Sequence, residues 1–464
     1  MHRMTMRSRV SDLYQEGSRF ISSCAHILSQ RPVFLLMTVS LKIALMSITP
    51  LSPEFVAFTH VTTANDITYT LSSGSFMVWS LMLRLIYGFW LVLPVEHPSV
   101  WNTIGFSYYN SSPSINLLVF LLKTPLLVAD IFMAPVIYKI LTQLKVSKHR
   151  AQLGMKLWLL NPFATLIAEM GGAPDIVALL FVTVSVYALM RRRFTISSFM
   201  LILSSLIRMY SLFLIPIYFM IIRRELGNKE SLRFILRCYA FPMAIAIALP
   251  ILLANQAVVN GLIAGSPRYW FLLGPLVFPF YFAPDLPTAL TVGFSFVLIL
   301  AMWLGFWKAS SQNAGDCIFI FLLSLFTFPY WNPNFLLWII PFMILDYGLK
   351  KEGRIYLISF FIVALAYLLL GYSDYFASAG NSVFFIPNFN EAMTFVSTNL
   401  YSLQSIIWIS RLSIITILRS MFAGICLAYA LRLSLENLHQ GSRTTTRGAK
   451  RQEKRLKESV ALPG

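Results

Sequence analysis

Charge is what this sequence lacks most: Asp, Glu, Lys and Arg make up 12% of its 464 residues, about half the roughly 25% of an ordinary soluble domain. That shortage excludes a soluble globular surface and leaves long uncharged runs such as 33–41, 176–190 and 355–371. Cysteine is nearly as scarce. Cys24, Cys238, Cys317 and Cys426 are scattered with no CxxC spacing, which excludes a disulfide framework and a zinc finger. The six histidines (among them His26 and His149 inside, and His60 and His97 isolated and outside) have no ligand spacing, so no metal site is expected from them. The alternating ten-residue strands of a membrane barrel are missing. So is an internal repeat of the kind that builds transporters from inverted halves. No small-residue cleavage site follows a short apolar core near the N-terminus, so the first apolar run is expected to be a retained helix.

What is present is apolar mass: 57% hydrophobic residues and a mean hydropathy of +0.69. A helix crossing a bilayer core needs about 20 mostly apolar residues, and window after window approaches that length. The cations mark the sides. All of the 37 Lys and Arg except Lys42, Arg84, Lys123, Arg208, Arg268, Arg411 and Arg419 fall in the polar gaps at 1–31, 139–156, 191–193, 223–237, 308, 350–354 and 432–464. Basic residues gather on the cytoplasmic side of membrane proteins, so the net charge of +18 reads as a topology signal rather than as affinity for nucleic acid. The expected fold is an all-α polytopic membrane protein of about 11–12 transmembrane helices, some half-length.

With the basic gaps inside, helices are expected at 32–50, 114–141, 157–170, 175–190, 238–257, 288–307, 315–330, 335–349, 354–371 and 412–433. The segment 196–222 exceeds one straight span and is expected as two half-length helices meeting near Arg208 at the outer side. Both termini fall inside: 1–31 as a basic tail, 435–464 as a basic, disordered tail beside anionic headgroups. The membrane domain is 32–434. Its first outer loop, 51–113, is long, and 76–93 within it reads as a helix lying in the interface, as does 399–411. Asn110-Ser111-Ser112 in that loop matches the glycosylation sequon.

Ions within this apolar frame need a reason, because each costs roughly 2.5–3.5 kcal/mol at membrane depth. Arg208, in LSSLIRMYSLFLIP, suits a phosphate ester; the alternative is a structural ion pair with a carboxylate such as Asp175. Lys123 and Asp130 lie seven residues apart on one helix face and are expected to pair internally, with Lys42 as a further partner. Asp66, in HVTTANDITYTLSSG, suits a general base at the membrane surface, against the commoner role of a turn or cap. Asp175, following Gly171-Gly172-Ala173-Pro174, suits a helix cap.

Several segments together resemble a family. Leu157-Trp158-Leu159-Leu160-Asn161-Pro162-Phe163, leading to a turn with Glu169, Gly171, Gly172 and Asp175, is similar to a W-L-x-N-P-F segment of the GT-C superfamily of membrane glycosyltransferases. Arg208-Met209-Tyr210 with Pro216 and Tyr218 resembles that family's basic-Ile-Tyr-Pro segment. Phe328-Pro329-Tyr330-Trp331-Asn332-Pro333-Asn334, continuing to Trp338 and Pro341, resembles its late aromatic segment. The resemblance covers roughly residues 30–350 and is nearest to GPI mannosyltransferase I and its prokaryotic relatives.

It implies a hexosyltransferase taking a sugar from a polyprenyl- or dolichyl-phosphate donor, with inversion, onto a lipid or glycan acceptor. The active site would face outward from the plasma membrane, or the endoplasmic reticulum in a eukaryote. An acidic base in the first outer loop is implied: Asp66, with Glu54 in reserve. Arg208 and Arg268 would hold the donor phosphate, and Glu169, Asp175, Tyr210, Tyr330 and Trp331 would contact donor or acceptor. Two departures stand out. Ala64-Asn65-Asp66 carries one carboxylate where the GPI enzymes have Asp-x-Asp, leaving a divalent metal open, and Ser211 follows Tyr210 where proline is usual. No other cofactor is implied. The competing class is a transporter or lipid flippase, whose need for charged residues near the bilayer midplane Lys42, Lys123 and Asp130 partly meet.

Overall fold

In a computed structural model, residues 6–47, 77–97, 113–208, 214–241, 313–327, 334–349, 354–371 and 424–436 are described, with isolated positions such as Phe55, Thr59 and Ser211. Every regular element among them is a helix: α1 (Met6–Ser29), α2 (Pro32–Ser47), α3 (Met77–Val92), α4 (Pro113–Gln143), α5 (Lys148–Leu159), a π-helix π1 (Ala164–Met170), α6 (Asp175–Met190), α7 (Phe194–Ser205), α8 (Ile215–Leu226), α9 (Asn228–Ile235) running into π2 (Leu236–Ala240), α10 (Ala314–Thr327), α11 (Phe335–Leu349) and α12 (Arg354–Gly371). One described helix, over Ser114–Gln143, is long and apolar enough to cross a membrane; there are up to three such spans if each bent pair counts as one.

The expected helices around 32–50, 114–141, 175–190, 315–330, 335–349 and 354–371 are present with small boundary shifts, and 76–93 is helical as α3. The predicted span 288–307, the segment 399–411 and most of 238–257 lie wholly or largely outside the described residues, whereas the span expected over 412–433 is helical from 424 onward. Three expectations change. The tail 1–31 is helical over Met6–Ser29. Its apolar Phe20, Cys24 and Ile27 recur at helical spacing on one face, a pattern that hydropathy averaging misses. The single helix expected over 157–170 is interrupted after Leu159, because Pro162 cannot donate to the helix ladder and the Asn161 side chain instead accepts a bond from the Phe163 N–H at 3.0 Å. The helix expected from 238 begins ten residues earlier, at Asn228.

The core is built on α4. It carries two interior prolines, Pro125 and Pro135, of which Pro125 lines an open groove. Indole donors tie neighbours to its backbone: Trp158 of α5 donates to the Asp130 carbonyl at 3.0 Å, and Trp90 of α3 to the Ser114 carbonyl at 3.1 Å. Small hydroxyls bring α6 and α7 together. Ser204 donates to the Ala178 carbonyl at 2.7 Å and Ser197 to the Ser185 carbonyl at 2.9 Å, the close approach that Ser residues permit between apolar helices. On α11, Asp346 accepts a bond from the Tyr429 hydroxyl; Tyr429 stacks on Tyr356 of α12 at 4.7 Å.

The turn between π1 and α6 is the sharpest feature, with the two helices bent by 120°. Gly172 takes φ +80 there, and a Cβ on it would stand 2.3 Å from the Phe55 ring, so only glycine fits. Phe55, wholly buried, thereby pins the chain near the start of 51–113 onto this turn. Gly172→Ala should lower stability by about 2 kcal/mol, from backbone strain plus overpacking, read as a fall in unfolding temperature in micelles. An unchanged transition would show that Phe55 does not hold this turn.

Candidate functional site

Among the described residues most of the ions buried in the bundle fall into two groups, each neutralised locally; Asp346 and Lys139 stand apart from both. The first joins α2, α4 and π1. Lys42 Nζ lies 2.7 Å from Asp130 Oδ2 and 3.1 Å from Glu169 Oε1, and donates to Thr165 Oγ1 at 3.0 Å. Thr165 and Glu169 stand four residues apart, so π1 presents both to the same ammonium. Lys123 donates to the Met170 carbonyl at the end of π1, where the helix leaves carbonyls unpaired, and its ammonium sits 5.7 Å from the centre of the Phe55 ring. Two cations and two carboxylates, none more than 2% exposed, make a neutral cluster.

The second group joins the start of α6, the break between α7 and α8, and α11. Arg208 donates through Nε to Asp175 Oδ2 at 2.9 Å, and its Nη2 bonds the same oxygen. Trp338 Nε1 donates to the other oxygen, Oδ1, at 2.8 Å. One carboxylate thus gathers three segments that the sequence had marked separately: the Gly-Gly-Ala-Pro turn, the broken helix and the late aromatic stretch. The break at Arg208 follows from local chemistry. The α7 ladder ends at Ser205, and α8 restarts with Pro216 in its first turn, where the missing N–H costs nothing.

Between α3, α4 and α6 runs an open groove of about 520 Å³, lined by Met82 and Phe89, Leu121 and Pro125, and Val177 and Leu180. Leu85 and Phe89 at its rim are 77% and 58% exposed. The groove is almost wholly apolar, and its α6 wall begins two residues after Asp175.

Among the sequence-predicted residues, Arg208 and Asp175 are brought together as the ion pair that was the alternative reading of Arg208. The capping role expected for Asp175 is corrected: Pro174 occupies the cap position, and no side-chain cap bond forms, because the carboxylate is turned to Arg208 and Trp338. Glu169, expected at an outer turn in contact with substrate, is instead fully buried and engaged with Lys42. The pairing expected of Lys42 with Asp130 is present, whereas Lys123 turns to a backbone carbonyl. Asp66, Glu54, Arg268, Tyr210, Tyr330 and Trp331 lie outside the described residues. Among the described residues no group of three or more His, Cys, Asp or Glu is arranged to hold a metal. Sequence reasoning missed Asp346 and the part played by Trp338. The signal for the first was present, since Asp346 is an acid within the apolar run 335–349.

No protein-family model and no curated protein matches the chain.

Removing one member of a buried charge cluster leaves its partners uncompensated, at about 3–5 kcal/mol. Lys42→Met should destabilise by that order, and adding Asp130→Leu should recover most of the loss, because the remaining Lys123 and Glu169 still balance. Equilibrium unfolding in micelles measures both; a Lys42→Met variant as stable as the parent would refute the cluster.

Proposed function

We propose that the chain is a multi-pass membrane glycosyltransferase of the GT-C kind, moving a sugar from a polyprenyl- or dolichyl-phosphate donor to a lipid or glycan acceptor on the extracytoplasmic face. The observation that supports it best is the meeting of the three family-like segments at Asp175, beside an apolar groove suited to a prenyl chain. A lipid-linked donor needs both features within reach: a dry channel for the tail and guanidinium donors near the phosphate.

In the proposed step the acceptor hydroxyl attacks the anomeric carbon from the face opposite the phosphate. Asp66 takes the hydroxyl proton as the new C–O bond forms. The bond from the anomeric carbon to the phosphate oxygen breaks, and its electron pair leaves with the polyprenyl phosphate. Arg208 is already neutralised by Asp175, so it contributes directed hydrogen bonds more than net charge; Arg268 supplies the remaining positive field for the leaving phosphate. Asp175 and Trp338 fix the angle at which Arg208 is presented.

A second reading, a lipid or solute transporter, draws on the Lys42–Asp130–Glu169–Lys123 cluster, since ionisable residues deep in a helical bundle often mark transport pathways. Purified protein in proteoliposomes, given radiolabelled polyprenyl-phosphate-mannose and then the glucose donor, distinguishes them. Transfer to an acceptor by the parent should fall about 100-fold or more in Asp66→Asn, and by about 100-fold in Arg208→Gln. Donor crossing the bilayer with no glycoside formed would replace the enzyme reading by the transporter one.

A further inference from the structure

We infer that α1 and the α9–π2 segment form a collar that docks on anionic phospholipid headgroups of the cytoplasmic leaflet. The inference rests on the membrane placement above and is independent of sugar transfer. The geometry begins with a bend: α1 and α2 meet at 97°, so when α2 runs across the bilayer, α1 lies along its surface. α1 is held there by the inner ends of the bundle. Lys139 of α4 donates to the Phe20 carbonyl at 3.0 Å and sits 3.9 Å from the Phe20 ring centre. Arg193, in the turn between α6 and α7, pairs with Glu16 at 2.8 Å. The same turn region holds the second arm, since Phe194 meets Phe234 of α9 edge-on at 6.2 Å.

Both arms carry apolar side chains that the protein leaves uncovered. Leu232 and Leu236, one turn apart, are each 53% exposed, and Ile21 on α1 is 55% exposed. Cations alternate with these leucines at Lys229, Arg233 and Arg237, the composition of a helix seated at the boundary between headgroups and acyl chains.

The charge ledger of the collar decides which headgroups it meets. Among the described side chains its carboxylates are engaged, Glu16 with Arg193 and Glu230 with Arg233 at 3.1 Å, as is the neighbouring Glu225 of α8, with Arg192 at 3.1 Å and with the Ser311 hydroxyl. Arg19, Lys229 and Arg237 are exposed and make no ion pair among the described residues. Three uncompensated cations next to uncovered leucines complement an anionic lipid, whose phosphate meets the cations while its chains cover the apolar side chains.

The test uses the full chain in neutral detergent micelles, titrated separately with fluorescent phosphatidylglycerol and phosphatidylcholine. Phosphatidylglycerol should bind at concentrations where phosphatidylcholine does not, and binding should weaken with salt. The variant carrying Arg19→Gln, Lys229→Gln and Arg237→Gln should bind it on the order of 100-fold more weakly, at about 1 kcal/mol per cation, with its lipid-free unfolding temperature unchanged. Should the triple variant fail to fold, Arg237→Gln alone is expected to weaken binding about 5-fold. Equal binding of the two lipids, unaltered affinity in the folded variants, or displacement by equimolar inorganic phosphate would overturn the proposal. None of these outcomes depends on glycosyl transfer.

Discussion

Pairing of ions in an apolar interior is the constraint on which this structure turns. A chain with so little charge has few ways to solvate any ion it buries, so Lys42, Asp130, Glu169, Arg208 and Asp175 must find one another or a backbone dipole. Each pairing draws in helices that are remote in sequence. Lys42 joins α2 to α4 and π1; Asp175 joins α6 to Arg208 beyond α7 and to Trp338 of α11. Hydrophobic burial cannot assign such neighbours by itself, because in a helix apolar all round one rotation buries nearly as much surface as another. The ions set the rotation of α4 and α6, and the packing follows.

The same constraint explains the irregular backbone. Two π-helical stretches, a 120° turn and the break before α8 would each forfeit hydrogen bonds in a continuous span. At the first of these sites, polar side chains stand ready: Asn161 closes the break before π1, and Lys123 meets the carbonyl at its end. An open apolar groove beside this buried ion pair is what the proposed lipid-borne donor would use, with affinity from its chain and orientation from the ions.

Much of this was legible in the sequence, for identifiable reasons. Long uncharged runs located α2, α6 and α12, and apolar runs with few charges located α4 and α11. The unusual length of 196–222 foretold a break, and the spacing of Lys123 and Asp130 placed them on one helix. The pairing of Arg208 with Asp175 was one of two readings, and nothing in spacing separates a guanidinium that serves a phosphate from one that serves a carboxylate. Other features were hidden. α1 is amphipathic rather than apolar, so its periodicity is lost when hydropathy is averaged. Asp175 has the local signature of a cap, and only the arrival of Trp338, 163 residues away in sequence, shows that its carboxylate faces inward. Glu169 read as a surface acid because it adjoins a glycine turn, yet π1 winds it back toward Lys42. The first-loop base and its neighbours, resting on the family resemblance, lie beyond what the described residues address.

The most direct measurement is a double-mutant cycle on Arg208→Met and Asp175→Leu, followed by equilibrium unfolding in micelles. If neutralisation of buried ions organises the bundle, each single substitution costs about 3–5 kcal/mol and the double variant costs less than either. Strictly additive losses, agreeing within about 0.5 kcal/mol, would mean that the two side chains do not depend on each other and would contradict the account.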